Sequence, residues 1–257
     1  MHDLVEAIGV SESTIRRDLE TLDRDGTLKR TRGGAMMPPA VAARPAMGEV
    51  ASSRPRKQPS QKRAIGRAAA DLLGPSETVL LDGGSTTLEV ARQLAGRPLQ
   101  VVTNSLPVVN LLFGQPEVEV VMLGGLLYPK TGVALGALTD VALQQLRVQT
   151  LLLGCGGIRE EGLYNQNSLL VDAERRMLDA ADRRILVADS TKFGQAELVR
   201  LCGLDRIDCL VTDDGVTDAW RARLEDAGIT VVIAGNESAE PQDRPPDRER
   251  TPKRDDP

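Results

Sequence analysis

The chain has 257 residues, of which 41% are hydrophobic and 27% charged, enough for a sizeable core in one large or two modest domains. A formal net charge of −5 means that any affinity for nucleic acid must come from a local basic patch. His2 is the single histidine, and Cys155, Cys202 and Cys209 form no Cys-x-x-Cys pair, which excludes a Ser-His-Asp triad, a histidine-ligated metal, a structural zinc and a disulfide framework.

The first unit, residues 1–36, reads as helix, turn, helix. Leu4 and Ile8 share a face of a short helix, Gly9 and Val10 make a turn, and Ser11 caps a second helix on which Ile15, Leu19 and Leu22 recur at i, i+4 and i+7. Arg16 and Arg17 sit off that apolar stripe, and Lys29, Arg30 and Arg32 follow Gly26 in a short strand-like turn. One reading is a solvated amphipathic surface. The other is a DNA-contacting unit, in which Ser11 and the basic residues meet phosphates while Ser13, Thr14 and Arg17 lie near base edges.

Residues 37–60 are rich in Pro, Ala, Ser and Arg without a sustained period and read as a linker. From 61 to 235, apolar runs at Thr78–Leu81, Leu99–Thr103, Val118–Leu123, Thr150–Leu153, Arg184–Ala188, Asp208–Thr212 and Ile229–Ile233 predict strands. Most are separated by helical patterns, at Lys62–Leu73, Leu88–Leu94, Leu169–Ala181 and Asp218–Ala227. Such alternation predicts a mostly parallel sheet covered on both faces. Residues 236–257, almost devoid of apolar side chains, are expected to be disordered. No apolar run approaches the roughly 20 residues that span a bilayer, so no membrane partner and a cytoplasmic location are expected.

The polar residues gather just after the strands: Asp82 to Thr87, Asn104 and Ser105, Gly124 and Gly125, Gly154 to Gly157, Ser190 to Gly194. In a parallel sheet these ends share one edge, where open α/β sheets bind ligands. In the stretch Asp82-Gly83-Gly84-Ser85-Thr86-Thr87 the glycines allow close backbone approach and the hydroxyls supply donors where a helix begins, which suits a phosphate. The stretch lacks both the Gly-Lys-Ser/Thr ending of a nucleoside-triphosphate loop and the spacing of a dinucleotide site, so a small phosphorylated molecule is expected. The alternative is a tight turn with Ser85 as a helix cap. Lys192 reads as a cation for the phosphate or as a solvated side chain. Thr103 and Asn104 read as partners for sugar hydroxyls, Ser105 as a helix cap, and Gly124 and Gly125 as either binding or turn residues.

The stretch Val10 to Ala35, with its Val-Ser-x-x-Thr-Ile-Arg-Arg-Asp-Leu core and closing Arg-x-Gly-Gly-Ala, resembles the DNA-binding signature of the DeoR family of bacterial transcription regulators. The resemblance continues through KRAIGRAAADLL, LLDGGSTTLEVARQL, VVTNS, LGG, GCGGIREEGL and ADSTKFG and covers residues 2 to 233. It implies an α/β fold class: a small, truncated winged helix-turn-helix, then a mostly parallel, Rossmann-like three-layer sensor domain similar to ribose-5-phosphate isomerase. It also implies a repressor of sugar metabolism acting as a homo-oligomer on operator DNA and released by a phosphorylated sugar. The recognition helix would run from Ser11 to Leu22 and the wing from Thr27 to Ala35. Effector contacts would fall at Asp82 to Thr87, Thr103, Asn104, Gly124, Gly125 and Lys192, with no cofactor and no metal.

The competing class is an isomerase-like enzyme or a sugar-phosphate-binding protein that has lost DNA binding. Where the related isomerase carries an Asp-rich catalytic stretch this chain has LLLGCGGI, with Glu160 and Glu161 only later, so binding without turnover is expected. Family members ordinarily carry one more helix ahead of the stretch matching Met1 to Val10. The expectation is that the natural chain begins further upstream; the alternative is that DNA binding is weak or lost.

Overall fold

The computed structural model describes residue 5 and residues 9–24, 28–31, 34–36 and 58–235. Leu4, Ile8, Gly26, Thr27, Arg32, most of the expected linker and the expected disordered tail lie outside the described residues.

In the N-terminal unit, helix α1 spans Glu12–Arg24. Ser11 starts it, its hydroxyl accepting the Thr14 amide at 3.3 Å, which satisfies one of the donors a helix leaves open at its first turn. Ile15 and Leu19 are buried. Leu22 departs from the expected stripe: it is 38% exposed, although three residues beyond Leu19 it lies near that face. Strands β1 (Lys29–Thr31) and β2 (Gly34–Met36) pair antiparallel, with Arg30 opposite Ala35. The expected strand-like turn is thus a two-stranded hairpin.

The rest of the described chain is built on a seven-stranded sheet. In chain order it runs through α2 (Pro59–Asp71), β3 (Thr78–Leu81), α3 (Ser85–Leu94), β4 (Leu99–Thr103), α4 (Leu106–Leu112), β5 (Val118–Met122), β6 (Leu126–Tyr128), β7 (Val133–Leu135), α5 (Ala137–Gln144) and β8 (Val148–Leu153). It continues through β9 (Gly157–Arg159), β10 (Gly162–Asn165), α6 (Ser168–Ala180), β11 (Ala181–Val187), β12 (Val199–Cys202), β13 (Cys209–Asp213), α7 (Asp218–Asp226) and β14 (Thr230–Ala234). The spatial order is β14-β13-β11-β8-β3-β4-β5, and every neighbouring pair is parallel.

Alternation along the strands divides the core in two, because successive side chains point to opposite faces. Val79, Leu81, Leu152, Ile185, Val187 and Val211 pack with Ile65 and Ala69 of α2, Val90 and Leu94 of α3 and Val108 and Leu112 of α4. Leu80, Leu151, Leu153, Leu186 and Leu210 pack on the other side with Leu143 of α5, Val171, Met177 and Leu178 of α6 and Leu224 of α7. The expected parallel three-layer arrangement is present, and burial on both faces accounts for strands that are apolar throughout.

Two small pieces were not legible in the sequence: the β6–β7 hairpin and the antiparallel sheet β12-β10-β9. Both consist of strands of three or four residues, too short for a period to register.

Helices α2 and α3 touch at Gly66. A β-carbon built there would lie 2.7 Å from the carbonyl carbon of Glu89, closer than backbone atoms tolerate. Gly66→Ala gains up to about 1 kcal/mol of helix propensity but must push α3 away, a strain of roughly 1–3 kcal/mol. The expected outcome in urea denaturation is net destabilisation; a more stable variant would contradict the close approach.

Candidate functional site

The strand order reverses beside β3. From β3 the chain winds outward through β4 to β5, then returns to β8 on the other side of β3 and winds outward to β14. The carboxyl ends of β3 and β8 are therefore neighbours whose connections leave in opposite directions, and a crevice opens between them. Asp82 follows β3 there, its amide donating to Leu152 O at 3.0 Å. Its carboxylate accepts from the backbone of Gly83 and of Gly154, the residue after β8.

Asp82 is only 5% exposed. Burial pushes its carboxyl up from the usual range to about 6, against the pull of the two backbone donors. Glu174 of α6 is buried still more deeply, at 3% exposure. Burial and the charge of Asp82 hold its pKa well above the ordinary value, partly offset by a 2.6 Å hydrogen bond from Asn165 Nδ2 to Oε1. Glu174 Oε2 is buried without a hydrogen-bond partner. The charge of either carboxyl disfavours the charge of the other, so the two titrate as a pair.

The loop after Asp82 is shaped by two glycines. A side chain on Gly83 would collide with Val133 Cγ1 at 2.1 Å, so this position admits only glycine. Gly84, in extended conformation, is the residue before α3, and no side chain caps that helix. Ser85 is the first helical residue, not its cap. Its exposed hydroxyl meets Lys62 Nζ at 3.1 Å, and α3 presents its opening turn and the positive end of its dipole to the crevice. Thr86 is buried, and Thr87 donates to Gly84 O at 3.0 Å and is fully buried.

The other expected contacts divide. Lys192, on the short turn Ser190–Lys192 after β11, lines a cavity of about 510 Å³ with Gln58, Gly156 and Thr191. Its charge also acts on Cys155 beside Gly154, whose thiol burial pushes up to about 12. Thr103 is spent internally: its hydroxyl donates to Leu81 O at 2.7 Å and accepts the Ser105 amide at 3.0 Å. Asn104 donates to Ala134 O at 3.0 Å and leaves Oδ1 buried without a partner. Ser105 stands at the cap position of α4 without a capping bond. Gly124 and Gly125 form the turn into β6; Gly124 O accepts from Thr139 at 2.7 Å, and Gly125 has φ 152°.

Lys62, Glu174 and Asp189 were missed by sequence reasoning. Lys62, on the first turns of α2, is 12% exposed and stands 3.9 Å from Asp189 Oδ2. Asp189 also accepts from the amide and hydroxyl of Thr191. A signal for Glu174 did exist: it interrupts the apolar stripe Leu170, Val171, Met177, Leu178 of α6, where a carboxylate is costly unless it has a task. The buried pair Asp82 and Glu174 lies outside the Gly-Cys-Gly-Gly stretch, at the end of β3 and on α6. Glu160 and Glu161 are exposed, Glu160 pairing with Arg223 at 2.9 Å.

On α1, the face opposite Ile15 and Leu19 carries Ser13, Thr14, Arg17, Thr21 and Arg24, all exposed. Arg16 is drawn aside to Glu12 at 2.6 Å. Ser11 shares hydrogen bonds with Ser13 and Thr14, both 2.8 Å. Lys29 and Arg30 lie on β1 of the hairpin, while Arg32 is outside the described residues.

The model of the DeoR C-terminal sensor domain matches residues 57–214, and that of the DeoR-like helix-turn-helix domain matches residues 1–40. The chain belongs to the DeoR family of transcriptional regulators. A putative aga operon transcriptional repressor of Escherichia coli O157:H7 is 32% identical over 237 residues, covering 91% of this chain and 87% of that protein. The HTH-type transcriptional regulator UlaR of Escherichia coli K12 is 29% identical, covering 89% and 90%. Among solved structures, ribose 5-phosphate isomerase from Methanocaldococcus jannaschii is similar over 53% of this chain, with 16% identity and a TM-score of 0.39. The match spans 55% of that structure's length. Ribose 5-phosphate isomerase A from Neisseria gonorrhoeae gives 60% and 56%, at 15% identity and a TM-score of 0.40. No described helix of this DeoR chain is long and apolar enough to cross a membrane.

The raised carboxyls of this regulator make its stability depend on pH with a definite sign. The folded pKa of Asp82 lies above its unfolded value of 3.8, so the folded state holds more protons between the two, and stability falls as pH rises from about 4 to about 7. Asp82→Asn removes that loss. The stability difference, variant minus wild type, should shift in the variant's favour across this window by up to roughly 3 kcal/mol, measured by denaturation at each pH. A difference independent of pH would show that Asp82 titrates normally.

Proposed function

We propose that this protein binds operator DNA as a homo-oligomer through α1 and the β1–β2 wing, represses a sugar operon in the cytoplasm, and is released by a phosphorylated sugar. The observation that carries the reading is that Lys62 meets both Ser85, at the uncapped start of α3, and Asp189, three residues before the cavity-lining Lys192. A dianionic phosphate satisfies the open amides, the hydroxyl of Ser85 and both ammonium groups at once. Asn104 and the carboxyls of Asp82 and Glu174 supply acceptors for sugar hydroxyls at the other end. The exposed hydroxyl and arginine face of α1 supports the DNA half of the reading, and the repressor among the relatives supports the direction of regulation. A symmetric oligomer places one reading helix in each half-site.

Binding without turnover is part of the proposal. A second reading, an isomerase-like activity, draws support from Asp82, since a carboxyl raised to about 6 is poised as a general base. Incubating the purified protein with pentose and hexose phosphates decides between them: the regulator leaves the sugars unchanged, whereas product in excess of protein establishes catalysis.

On a fragment of its own promoter the protein should give a mobility shift whose affinity falls steeply as salt rises. Arg17→Ala should cost roughly 1–3 kcal/mol of that binding. A shift indifferent to both salt and Arg17 would refute the assignment of the reading face. In thermal shift, the matching sugar phosphate at about 100 times its Kd should add about 2.7 kcal/mol. The same compound should dissolve the DNA complex, and failure of every phosphorylated sugar to do either would refute the sensor half.

A further inference from the structure

Aromatic side chains are scarce, with one tryptophan, two tyrosines and two phenylalanines in the chain, yet Trp220, Phe193 and Tyr164 gather in one place. Trp220, on the first turn of α7, is half-buried: it packs against the core on one side and meets the Phe193 ring at a centroid distance of 5.3 Å. Arg223 lies over the indole at 5.4 Å and also pairs with Glu160 at 2.9 Å. With Arg159, Glu160, Glu161 and Gly194, Trp220 lines a cavity of about 310 Å³, and Tyr164 donates to Glu161 at 3.1 Å. Among the described residues this cavity shares no lining residue with the one holding Lys192. An aromatic wall is the surface on which proline-rich segments dock, ring face against pyrrolidine, and the adjoining carboxylates suit arginines beside the prolines.

The chain carries a segment of that composition, Asp243-Arg244-Pro245-Pro246-Asp247-Arg248, outside the described residues. Strand β14 delivers it to the right edge of the sheet. Its last residue, Ala234, is in register with Asp213, the last of β13. Trp220 follows Asp213 through the turn in which Thr217 caps α7, accepting the Trp220 amide at 3.3 Å. The segment and the indole therefore leave the same edge from neighbouring strands, which lie about 5 Å apart, whereas the ten residues from Gly235 to Pro245 span up to about 31 Å in proline-rich extended form. We propose that residues 243–248 dock on this cavity of their own chain, with Pro245 and Pro246 on the indole of Trp220 and Arg244 and Arg248 on Glu160 and Glu161. Charge matches in both signs, since Asp243 and Asp247 flank the prolines while Arg159 and Arg223 flank the carboxylates. The Glu160–Arg223 pair is exposed and such pairs contribute little, so Glu160 accepts a second arginine at small cost. Two consecutive prolines, with φ already fixed, and a short tether reduce the ordering that docking requires.

Trp220 is the single tryptophan, so fluorescence of the full chain reads this site alone. A tail variant carrying Arg244→Ala, Pro245→Ala and Pro246→Ala should be quenched by acrylamide roughly twofold more strongly than the wild type, because docked residues exclude solvent from the ring. Glu160→Gln with Glu161→Gln should raise quenching in the wild-type background and change nothing in the tail variant. Equal quenching of the wild type and the tail variant overturns the proposal. An equal effect of the two glutamines in both backgrounds overturns it as well, since the carboxylates then act without the tail. The difference between wild type and tail variant should also hold at every protein concentration; one that vanishes on dilution overturns docking within the chain and assigns the cavity to the tail of a second copy.

Discussion

Everything distinctive in the sensor sheet follows from the reversal of strand order beside β3. In a sheet wound in one direction, each connection covers the carboxyl end of the next strand. Where the direction changes, two adjacent ends are left uncovered. Here those ends are Leu81-Asp82 and Leu153-Gly154, linked by the hydrogen bond from Asp82 to Leu152 and by the Gly154 amide donating to the Asp82 carboxylate. The reversal therefore fixes where a ligand can enter and which backbone amides line the floor. The requirement for glycine at Gly83 follows too, since the loop must pass under Val133 to reach α3.

The chemistry of the crevice is divided by sign. Lys62 and Lys192 approach from the turns around α2 and β11, whereas Asp82 and Glu174 lie deeper, under the sheet edge. Keeping two carboxyls in a low-dielectric interior is unfavourable when both are charged, and burial, followed by the charge of Asp82, raises the pKa of Glu174. The result is a pair of buried acceptors, with Lys62 and Lys192 on neighbouring turns.

The sequence revealed those features in which one residue type has one physical use. Apolar β-branched runs followed by polar turns marked the strands of the main sheet, and the Asp-Gly-Gly-Ser-Thr-Thr stretch marked the turn from β3 into α3. It failed where direction mattered. Thr87 and Thr103 have the same hydroxyl as a ligand-facing threonine, but both turn back to backbone carbonyls, of Gly84 and Leu81. Lys62 looked like one more charge on an amphipathic helix until Ser85, 23 residues on, was brought against it. The β10–β12 pairing sets Leu163 against Cys202 across a long loop, a partnership no local pattern encodes.

The acidic character of the whole chain is compatible with DNA binding because screening makes the arrangement of charge outweigh its sum. Helix α1 itself carries three arginines against four carboxylates, so its net charge is repulsive toward phosphate. The carboxylates of Glu12, Asp18, Glu20 and Asp23 fall on the flanks, however, while Ser13, Arg17, Thr21 and Arg24 at i, i+4, i+8 and i+11 share the face turned away from Ile15 and Leu19. Acidic groups elsewhere in the protein, beyond the roughly 8 Å over which charge is felt at physiological salt, contribute little at that face. If Arg17 faces a phosphate backbone as proposed, a rotation of α1 about its axis would exchange it for Asp18 or Glu20, so acidic flanks would penalise misoriented contacts. On the proposed reading face, the same residues that lower the net charge would favour one orientation of the helix in a groove, the condition for reading a sequence instead of merely adhering to phosphate.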